Sequence, residues 1–265
     1  MSETGSSRLT ESQVKEYRKS GFVIYDETVF PAGEFDSLAE HFEEELLALA
    51  PGERPESMDC PHFTDIALFR WLLSDSVLDL VEPIIGPDIA LFASHFICKP
   101  KGNGKRVPWH EDSFYWRQTL SPVDVVTVWL AIDPATAENG AMQVVPCALA
   151  GDSVHEPVDP ERNVLSWEVK KRKINESEPV TIELAPNHAS LHDCRLLHGS
   201  AANTSSLRRC GYTMRYMPTT VKLSDQVSHN IYLARGMDRA GNRYGDPTRR
   251  YEELARFRKR HGNGH

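Results

Sequence analysis

The sequence has few cysteines, and they follow no spacing typical of a disulfide framework or a zinc site. Five cysteines occur in 265 residues, an odd number with no Cys-x-x-Cys pair. The polar segment 1–10 also lacks the apolar core of a signal peptide. We therefore expect free thiols and a reducing, cytoplasmic compartment.

Positive charge and long apolar runs are scarce as well. Lys and Arg number 30 against 38 Asp and Glu, which gives a formal net charge of -8. This balance argues against nucleic acid or an anionic membrane surface as a partner. No apolar run approaches the ~20 residues that a membrane-spanning helix requires. The expected partner is a small molecule, and the sequence leaves the oligomeric state open.

The sequence does contain enough apolar residues for one large core. Hydrophobic residues make up 40% of the chain, and no repeat or low-complexity linker divides it. We predict a single domain over residues 1–265. It would comprise N-terminal helices at 10–86, a β core at 88–217 and a polar C-terminal segment at 218–265.

Helix signals dominate the N-terminal part. Thr10 and Gln13 form a capping-box pattern, which predicts a helix that Gly21 ends. Helical spacing of apolar residues predicts a second helix over 31–50. Residues 64–85 carry one or two more, broken around 74–76. A closing helix is predicted within 247–260, and its basic residues are interpreted as a solvated face.

Short β-branched and aromatic segments fill the region after the helices and are separated by Gly, Pro, Asn and Asp. Several strands at such spacing favour a β-sandwich or jelly roll. The predicted fold is therefore mainly β, with a helical N-terminal layer packed on the β core. The predicted strands are 89–99, 123–133, 141–145, 179–184, 189–197 and 208–217.

A histidine and a carboxylate lie two residues apart in the aromatic-rich segment 107–116. On an extended strand, residues two apart project from the same face. His110 and Asp112 would then offer an imidazole nitrogen and a carboxylate oxygen to one metal ion, while Glu111 points the other way. Such pairs are frequent, so a metal site needs a third ligand elsewhere.

Later histidines supply candidates for that third ligand. His198 is the best placed, because it ends the predicted strand 189–197 and precedes a Gly-Ser turn. Two histidines and one carboxylate form the facial triad of non-haem Fe(II) oxygenases, which leaves metal positions open for chemistry. His192 has the same strand parity as His198 and is the fallback ligand. The four candidates are His188, His192, His198 and His229.

An arginine follows at a useful distance. An iron oxygenase that uses 2-oxoglutarate needs a cation for the distal carboxylate, and the planar fork of arginine suits that role. Arg209 lies 11 residues after His198. Because neighbours on a strand alternate faces, only one of Arg208 and Arg209 should point inward.

Three separate stretches share their order and spacing with one enzyme family. They are WHEDSFYW at 109–116, VWLAID with ENGAM at 128–142, and His198-Gly199-Ser200 with Asn203 and Arg209. Together they resemble the phytanoyl-CoA dioxygenase family of Fe(II)/2-oxoglutarate oxygenases, from about Thr10 to Tyr216. The resemblance implies a double-stranded β-helix, a cupin-like jelly roll, with N-terminal helices.

The resemblance also implies cofactors and a ligand set. His110, Asp112 and His198 would bind Fe(II), with 2-oxoglutarate and O2 as cosubstrates. Arg209, helped by Ser200, would form the salt bridge with the distal carboxylate of 2-oxoglutarate.

Two positions depart from the family pattern. The family often has Gln where this chain has Glu111, which adds a charge near the site. It also often has Pro-Gly-Ser-His where this chain has Pro146-Cys147-Ala148-Leu149, so the local pocket edge differs. Neither departure touches the implied metal ligands.

The implied activity is hydroxylation of a substrate C–H bond, with release of succinate and CO2. Related halogenases have a small residue at the position of Asp112, so its carboxylate favours hydroxylation. Basic residues favour a small anionic or zwitterionic substrate, such as an amino-phosphonate or a carboxylate, and the resemblance keeps an acyl-CoA open. The alternatives are a non-catalytic jelly-roll binding or sensing protein and an iron oxygenase without 2-oxoglutarate.

Candidate substrate residues lie on either side of the metal pair. His95 and Lys99 share one face of the predicted strand 89–99 and would offer a hydrogen-bonding or cationic contact, although a solvated Lys99 is an equal alternative. Tyr115 and Trp116 would form an aromatic wall or ordinary core.

Two residues further along complete the predicted pocket. Arg215 shares the face of Arg209 by even spacing and would meet an anionic substrate or form a structural ion pair. Trp129 is predicted to lie in the core near the metal and to contact the cosubstrate.

Overall fold

The computed structural model describes residues 8–147, 149, 151, 153–170 and 178–261. Ala148, in the segment that departs from the family pattern, lies outside the described residues, as do both ends of the predicted domain 1–265. The single-domain boundaries stay a prediction.

The helices begin and end at local sequence signals. The first helix is capped by a reciprocal capping box between Thr10 and Gln13, and Gly21 ends it in the left-handed region with φ of 83°. The break predicted around 74–76 arises because Ser74 accepts a hydrogen bond from the backbone of Ser76 and starts a new helix. The helices are α1 (Glu11–Ser20), α2 (Ala32–Leu47), α3 (Phe69–Leu72), α4 (Asp75–Ile85), α5 (Asp112–Trp116) and α6 (Glu252–His261), with short 3-10 turns at Pro55–Ser57, Pro61–Phe63 and Ile66–Leu68.

The described strands number fifteen, of which eleven form two facing antiparallel sheets and four form two short two-stranded sheets. They are β1 (Phe22–Tyr25), β2 (Met58–Asp59), β3 (Ile89–Lys99), β4 (Val107–His110), β5 (Leu120–Ser121), β6 (Val126–Ala131), β7 (Met142–Val144), β8 (His155–Pro157), β9 (Trp167–Val169), β10 (Val180–Thr181), β11 (Ala189–Asp193), β12 (His198–Ser200), β13 (Arg209–Pro218), β14 (Lys222–Leu223) and β15 (Tyr232–Arg235). The larger sheet has the order β1-β11-β6-β13-β3-β15, with β2 beside β3, and the smaller has the order β10-β7-β12-β4. The mainly β jelly-roll prediction is confirmed.

The central strands of the larger sheet separate the apolar core from the functional cavity. On β13, Tyr212 and Met214 lie in the main core, against which α4 also packs. The alternate residues Arg209, Thr213 and Arg215 line a cavity on the other face. This alternation along one strand gives the sheet one apolar face and one polar face.

The predicted strand 189–197 is wrong in its second half. β11 ends at Asp193, whose side chain accepts a hydrogen bond from the backbone of Arg195 at 2.8 Å and whose carbonyl accepts one from Leu196. This turn carries the chain to the opposite sheet, where β12 begins at His198. His192 and His198 therefore lie on different sheets and approach the same cavity from two sides.

Across the part of the chain that the structure describes, no helix combines the length and apolar character needed to cross a membrane.

Candidate metal centre

Three buried residues converge in the cavity between the two sheets. His110, Asp112 and His198 each offer a ligand atom, and these atoms lie within 4.8 Å of one another. Nε2 of His110 is 3.5 Å from Oδ1 of Asp112, and the two histidine rings are 4.2 Å apart between centroids. Two nitrogens and one carboxylate oxygen match the facial donor set of non-haem Fe(II) sites.

The backbone brings these side chains together by a route that strand alternation did not predict. β4 ends at His110, and Asp112 is the first residue of α5. The residue between them, Glu111, has extended dihedrals and serves as the helix N-cap, so the chain turns at this point. His198 is supplied by β12, where it pairs directly with His110 across the ladder. The three side chains thus come from a strand end, a helix start and a neighbouring strand.

Backbone contacts fix the tautomer of both histidines. Nδ1 of His110 lies 2.7 Å from the carbonyl of Pro108, and Nδ1 of His198 lies 2.9 Å from the carbonyl of Leu196. A carbonyl only accepts, so each Nδ1 carries the proton and donates it. Each Nε2 is left with a free lone pair, which is the arrangement that metal-binding histidines adopt.

The electrostatic environment favours the protonation states that bind a cation. Burial alone would raise the pKa of Asp112, but contact with His110 and the charge of Arg215 hold that pKa well below its usual value. Burial and the neighbouring His110 lower the pKa of His198 far below the ordinary histidine value. A carboxylate and neutral imidazoles are the forms in which these residues ligate metals. The residues present therefore fit Fe(II).

His192 lies beside this cluster. Its Nε2 is 3.9 Å from Oδ2 of Asp112, and its ring centroid is 4.8 Å from that of His198. Neither ring nitrogen has a hydrogen-bond partner, although the residue is buried. Burial lowers the pKa of His192 to about 4. The fallback ligand of the sequence analysis is thus a neutral neighbour of the three converging residues.

A buried lysine lies beside Arg209, which lines one end of the same cavity. Lys99 and Arg209 are cross-strand partners on β3 and β13. Nζ of Lys99 donates to Oγ of Ser200 at 2.6 Å and to the carbonyl of Ala201, while Nη2 of Arg209 donates to the carbonyl of Gly140 at 2.9 Å. Lys99 is fully buried, so the solvated alternative is wrong.

At this cationic end, burial outweighs the nearby negative charge of Glu56. Burial and the charge of Arg209 lower the pKa of Lys99 to about 6, and burial lowers the pKa of Arg209 to about 10. Nε of Arg209 is buried without a hydrogen-bond partner. A carboxylate arriving here would supply both further negative charge and the missing acceptor.

Trp129 lines the cavity of the candidate metal centre and lies beside Arg209. The guanidinium carbon of Arg209 lies 5.3 Å from the centroid of its ring. Gly211, on the inner face of β13, makes room for the indole, because a Cβ at that position would overlap the six-membered ring. The sequence predicted a place for Trp129 near the metal, but no motif pointed to the glycine on which that place depends.

Arg215 lies towards the other end of β13 and lines the same cavity together with His95 and Thr127. Its guanidinium carbon is 5.4 Å from the centroid of the Trp116 ring. Among the described residues, no carboxylate approaches it within ion-pair distance, so the structure does not contain the structural ion pair that the sequence allowed. Thr127 was not predicted from the sequence, since a lone threonine in a strand carries no signal.

Tyr115 and Trp116, the two aromatic residues of α5 predicted to contact substrate, are not among the residues that line the cavity of the candidate metal centre. Trp116 is buried under Arg215 and packs edge-on against Phe92. The hydroxyl of Tyr115 donates to the carbonyl of Trp167 at 3.3 Å, and both aromatic residues border a neighbouring cavity. Their contact with substrate stays a prediction.

Glu111 is buried but belongs to a different contact. Its carboxylate accepts hydrogen bonds from the hydroxyl and the backbone N–H of Ser153. Its charge therefore holds the loop before β8 and does not line the metal cavity. In the second departure from the family pattern, Cys147 hydrogen-bonds to the end of α1 through the carbonyls of Lys19 and Ser20.

The basic C-terminal helix is only partly a solvated face, which corrects the sequence interpretation. Nε of Arg258 donates to Oδ2 of Asp59 at 2.6 Å, and the side chain is largely buried. Both residues border a cavity of about 700 Å³ that shares the wall residues Val164 and Leu165 with the metal cavity. Helical periodicity gave no signal that one of several arginines would turn inward.

Comparison with known proteins identifies related sequences. The family model described as "Phytanoyl-CoA dioxygenase (PhyH)" matches residues 17–211. The "Probable alpha-ketoglutarate-dependent hypophosphite dioxygenase" of Stutzerimonas stutzeri is 29% identical over 56% of this chain and 52% of its own length. The "L-proline trans-4-hydroxylase" of Streptomyces griseoviridis is 22% identical over 61% of this chain and 66% of its own length. The chain thus spans about half to two thirds of these relatives.

Solved structures share the fold. The "non-heme monooxygenase; ThoJ apo" superposes with a TM-score of 0.73 at 20% identity and covers 92% of both chains. "CytC3 with Fe(II) and alpha-ketoglutarate" superposes with a TM-score of 0.66 at 19% identity over 91% of this chain and 94% of the other. At these identities the similarity establishes the architecture.

Proposed function

Because the chain belongs to the phytanoyl-CoA dioxygenase family of Fe(II)/2-oxoglutarate-dependent oxygenases, we propose that it hydroxylates a C–H bond of a small metabolite. Its cofactor is Fe(II), and its cosubstrates are 2-oxoglutarate and O2. In the proposed reaction, succinate and CO2 are released as the substrate gains a hydroxyl group. The metabolite would be anionic or zwitterionic.

One observation carries this proposal: the buried convergence of two imidazole nitrogens and one carboxylate beside a cationic pocket end. His110, Asp112 and His198 would hold Fe(II) on one face and leave its other positions open. When bound with 2-oxoglutarate and O2, the iron supplies the oxidising power for C–H hydroxylation. The carboxylate of Asp112 supports hydroxylation over halogenation, because it fills the position that chloride would need.

The cosubstrate would lie towards the cationic end. Arg209 and Ser200 would bind the distal carboxylate of 2-oxoglutarate, since Arg209 has an unused buried Nε–H and Ser200 lies within hydrogen-bond reach of it. Lys99 donates to the same Ser200 hydroxyl, so its position suits a role in cosubstrate binding better than a role in substrate binding. Trp129 would cover the cosubstrate and exclude water.

The proposed substrate class rests on charge and on the relatives. Arg215 and His95 line the cavity away from the cosubstrate end. The names of two relatives, a hypophosphite dioxygenase and an L-proline hydroxylase, indicate small charged substrates for those proteins. Both points support a small anionic or zwitterionic substrate for this chain.

A screen for succinate release from a metabolite library, followed by the mass of the product, tests the proposal. Hydroxylation predicts one additional oxygen in the product. Structures of the same fold bear the titles epimerase and carbocyclase, so an unchanged mass or the loss of two hydrogens would point to those reactions instead. A non-catalytic binding protein would release no succinate with any compound.

A further inference from the structure

Several buried polar atoms on one wall of the candidate metal centre's cavity have no hydrogen-bond partner. Nε of Arg215, Oγ1 of Thr127, Nδ1 of His95 and both ring nitrogens of His192 lack hydrogen-bond partners. All four residues line the cavity of the metal centre and are at most 5% exposed. Buried polar groups are normally satisfied, so this concentration on one wall indicates a polar ligand.

The sheet register arranges these residues in a compact patch. Arg215 on β13 pairs with Thr127 on β6, and Thr127 pairs with His192 on β11. These three side chains therefore form one row across the sheet. His95 on β3 pairs with Thr213, the inner-face residue next to Arg215, which puts it diagonally opposite Arg215 at roughly 7–8 Å.

The same patch is remote from the cosubstrate end. Arg209 and Arg215 are separated by six residues along β13, which corresponds to roughly 20 Å between their backbone positions. A backbone separation of this length leaves room for a second anion at Arg215, beside a distal carboxylate on Arg209.

Charge balance also favours the binding of an anion at Arg215. With Fe(II) and dianionic 2-oxoglutarate bound, the metal charge is cancelled by Asp112 and one carboxylate, and Arg209 is cancelled by the other. Arg215 then keeps a buried positive charge that acts on Asp112 but has no described carboxylate within ion-pair distance. A buried unpaired guanidinium is costly, and an anionic ligand removes that cost.

His95 offers a hydrogen-bond acceptor to a ligand, whereas Arg215 offers donors. Its Nε2 lies 3.0 Å from the carbonyl of Glu56, so Nε2 carries the proton and donates it. Nδ1 is therefore an acceptor, and it lies 3.8 Å from Oδ1 of Asp59, which cannot donate to it as a carboxylate. Burial lowers the pKa of His95 to about 4, which keeps the ring neutral at physiological pH. A ligand at this position must bring a donor, such as an N–H or an O–H.

We infer that Arg215 and Thr127 form an oxyanion subsite for the substrate, and that Nδ1 of His95 accepts a hydrogen bond from an amino or hydroxyl group of the same molecule. This inference rests on the proposed function and specifies its substrate class. The substrate is a small organic oxyanion with a hydrogen-bond donor a few bonds away. His192 completes the oxyanion end of the row.

Calorimetry on the anaerobic enzyme, saturated with Fe(II) and 2-oxoglutarate, tests the inference. The probes are β-alanine, taurine and 2-aminoethylphosphonate, which share a two-carbon amine and differ in the oxyanion, together with propionate, which lacks the donor. We expect at least one of the three amines to bind, and propionate to bind more weakly than β-alanine. If none of the three binds, the oxyanion subsite is wrong; if propionate equals β-alanine, the role of His95 is wrong.

Variants separate the subsite from the fold. Arg215→Gln should weaken binding of the best probe by roughly 10- to 100-fold, and Thr127→Val by roughly 3- to 10-fold. Arg215→Lys should recover part of the loss, because it keeps the charge. Arg235→Gln is the matched control: Arg235 pairs with Asp75 on the helical side, and its loss should leave probe affinity unchanged.

Affinity for 2-oxoglutarate distinguishes a failure of the oxyanion subsite from a failure of the proposed function. It should be unchanged in Arg215→Gln, because Arg209 is far along the strand. Loss of 2-oxoglutarate binding in that variant would overturn the subsite. If the unaltered protein shows no iron-dependent 2-oxoglutarate binding, the proposed function fails, while probe binding that depends on Arg215 can still be measured in the metal-free protein.

Discussion

Arg209 and Arg215 project from the same face of β13 into the cavity of the candidate metal centre, but only Arg209 has hydrogen-bond partners. Arg209 donates to the carbonyl of Gly140 at 2.9 Å, and its Nη2 lies 3.4 Å from Oγ of Ser200. Arg215 has no described hydrogen bond and lies over Trp116. One guanidinium is thus built into the wall, and the other is left for a ligand.

Removal of the carboxylate should weaken metal binding and abolish turnover. Asp112→Ala takes away the only anionic donor of the three converging residues, so we expect a lower affinity for iron and succinate formation at background level. Calorimetry and succinate release check this. His41→Ala is the control, because His41 belongs to the half-buried group with Glu45 and Asp65, and its loss should leave iron binding intact. Turnover that survives in Asp112→Ala would contradict the assignment.

Replacement of Arg209 should weaken cosubstrate binding. Arg209→Met removes the charge-assisted hydrogen bonds proposed for the distal carboxylate, so the Kd for 2-oxoglutarate should rise by roughly 10- to 100-fold. The Kd of Arg209→Lys should lie between those of the unaltered protein and Arg209→Met, because lysine keeps the positive charge but loses the planar guanidinium fork. Iron binding measured without 2-oxoglutarate should not change. Equal 2-oxoglutarate affinities in all three proteins would place the carboxylate elsewhere.

Binding of 2-oxoglutarate should take up a proton at Lys99. Burial and Arg209 lower the pKa of Lys99 to about 6, so this amine is mostly neutral above that pH in the free protein. A carboxylate beside it favours the charged form and raises the pKa. Between the two pKa values the complex holds one more proton, so affinity should fall with rising pH, by at most about tenfold per pH unit.

Calorimetry in buffers of different ionisation enthalpy measures this uptake. Lys99→Met should abolish it and flatten the pH profile above about pH 6. Lys101→Met, an exposed neighbour, should retain both. Proton release on binding, or an unchanged profile in Lys99→Met, would show that Lys99 does not sense the cosubstrate.

A methyl group at position 211 should disturb the cosubstrate pocket. In Gly211→Ala the new Cβ meets the six-membered ring of Trp129, and overpacking of this kind costs about 1–3 kcal/mol. The indole must tilt, so we expect altered tryptophan fluorescence and a higher KM for 2-oxoglutarate. Gly33→Ala, which meets nothing within 4 Å, is the control and should leave both unchanged. Tryptophan fluorescence in Gly211→Ala identical to that of the unaltered protein would mean that the position of the Trp129 ring does not depend on the glycine.

Local signals were sufficient where neighbours in the chain decide the conformation. The capping box at Thr10 gave the first helix, and the apolar β-branched run gave β3 as Ile89–Lys99. Family membership was also readable, because the motif residues keep their order and spacing. The prediction that His110 and Asp112 lie close together was correct. The reason given for it, that both project from one face of a strand, was wrong, since α5 begins at Asp112.

The sequence by itself determined the elements and the chemical kinds of residue available: histidines, carboxylates and arginines in a β-rich chain. Only the tertiary structure decided which of them meet. The turn after Asp193 sends His198 to the opposite sheet, and the register of β13 with β3 and β6 groups Lys99 with Arg209 and Thr127 with Arg215. Such pairings join residues far apart in the chain, and their register depends on packing across the whole sheet, which no local pattern encodes.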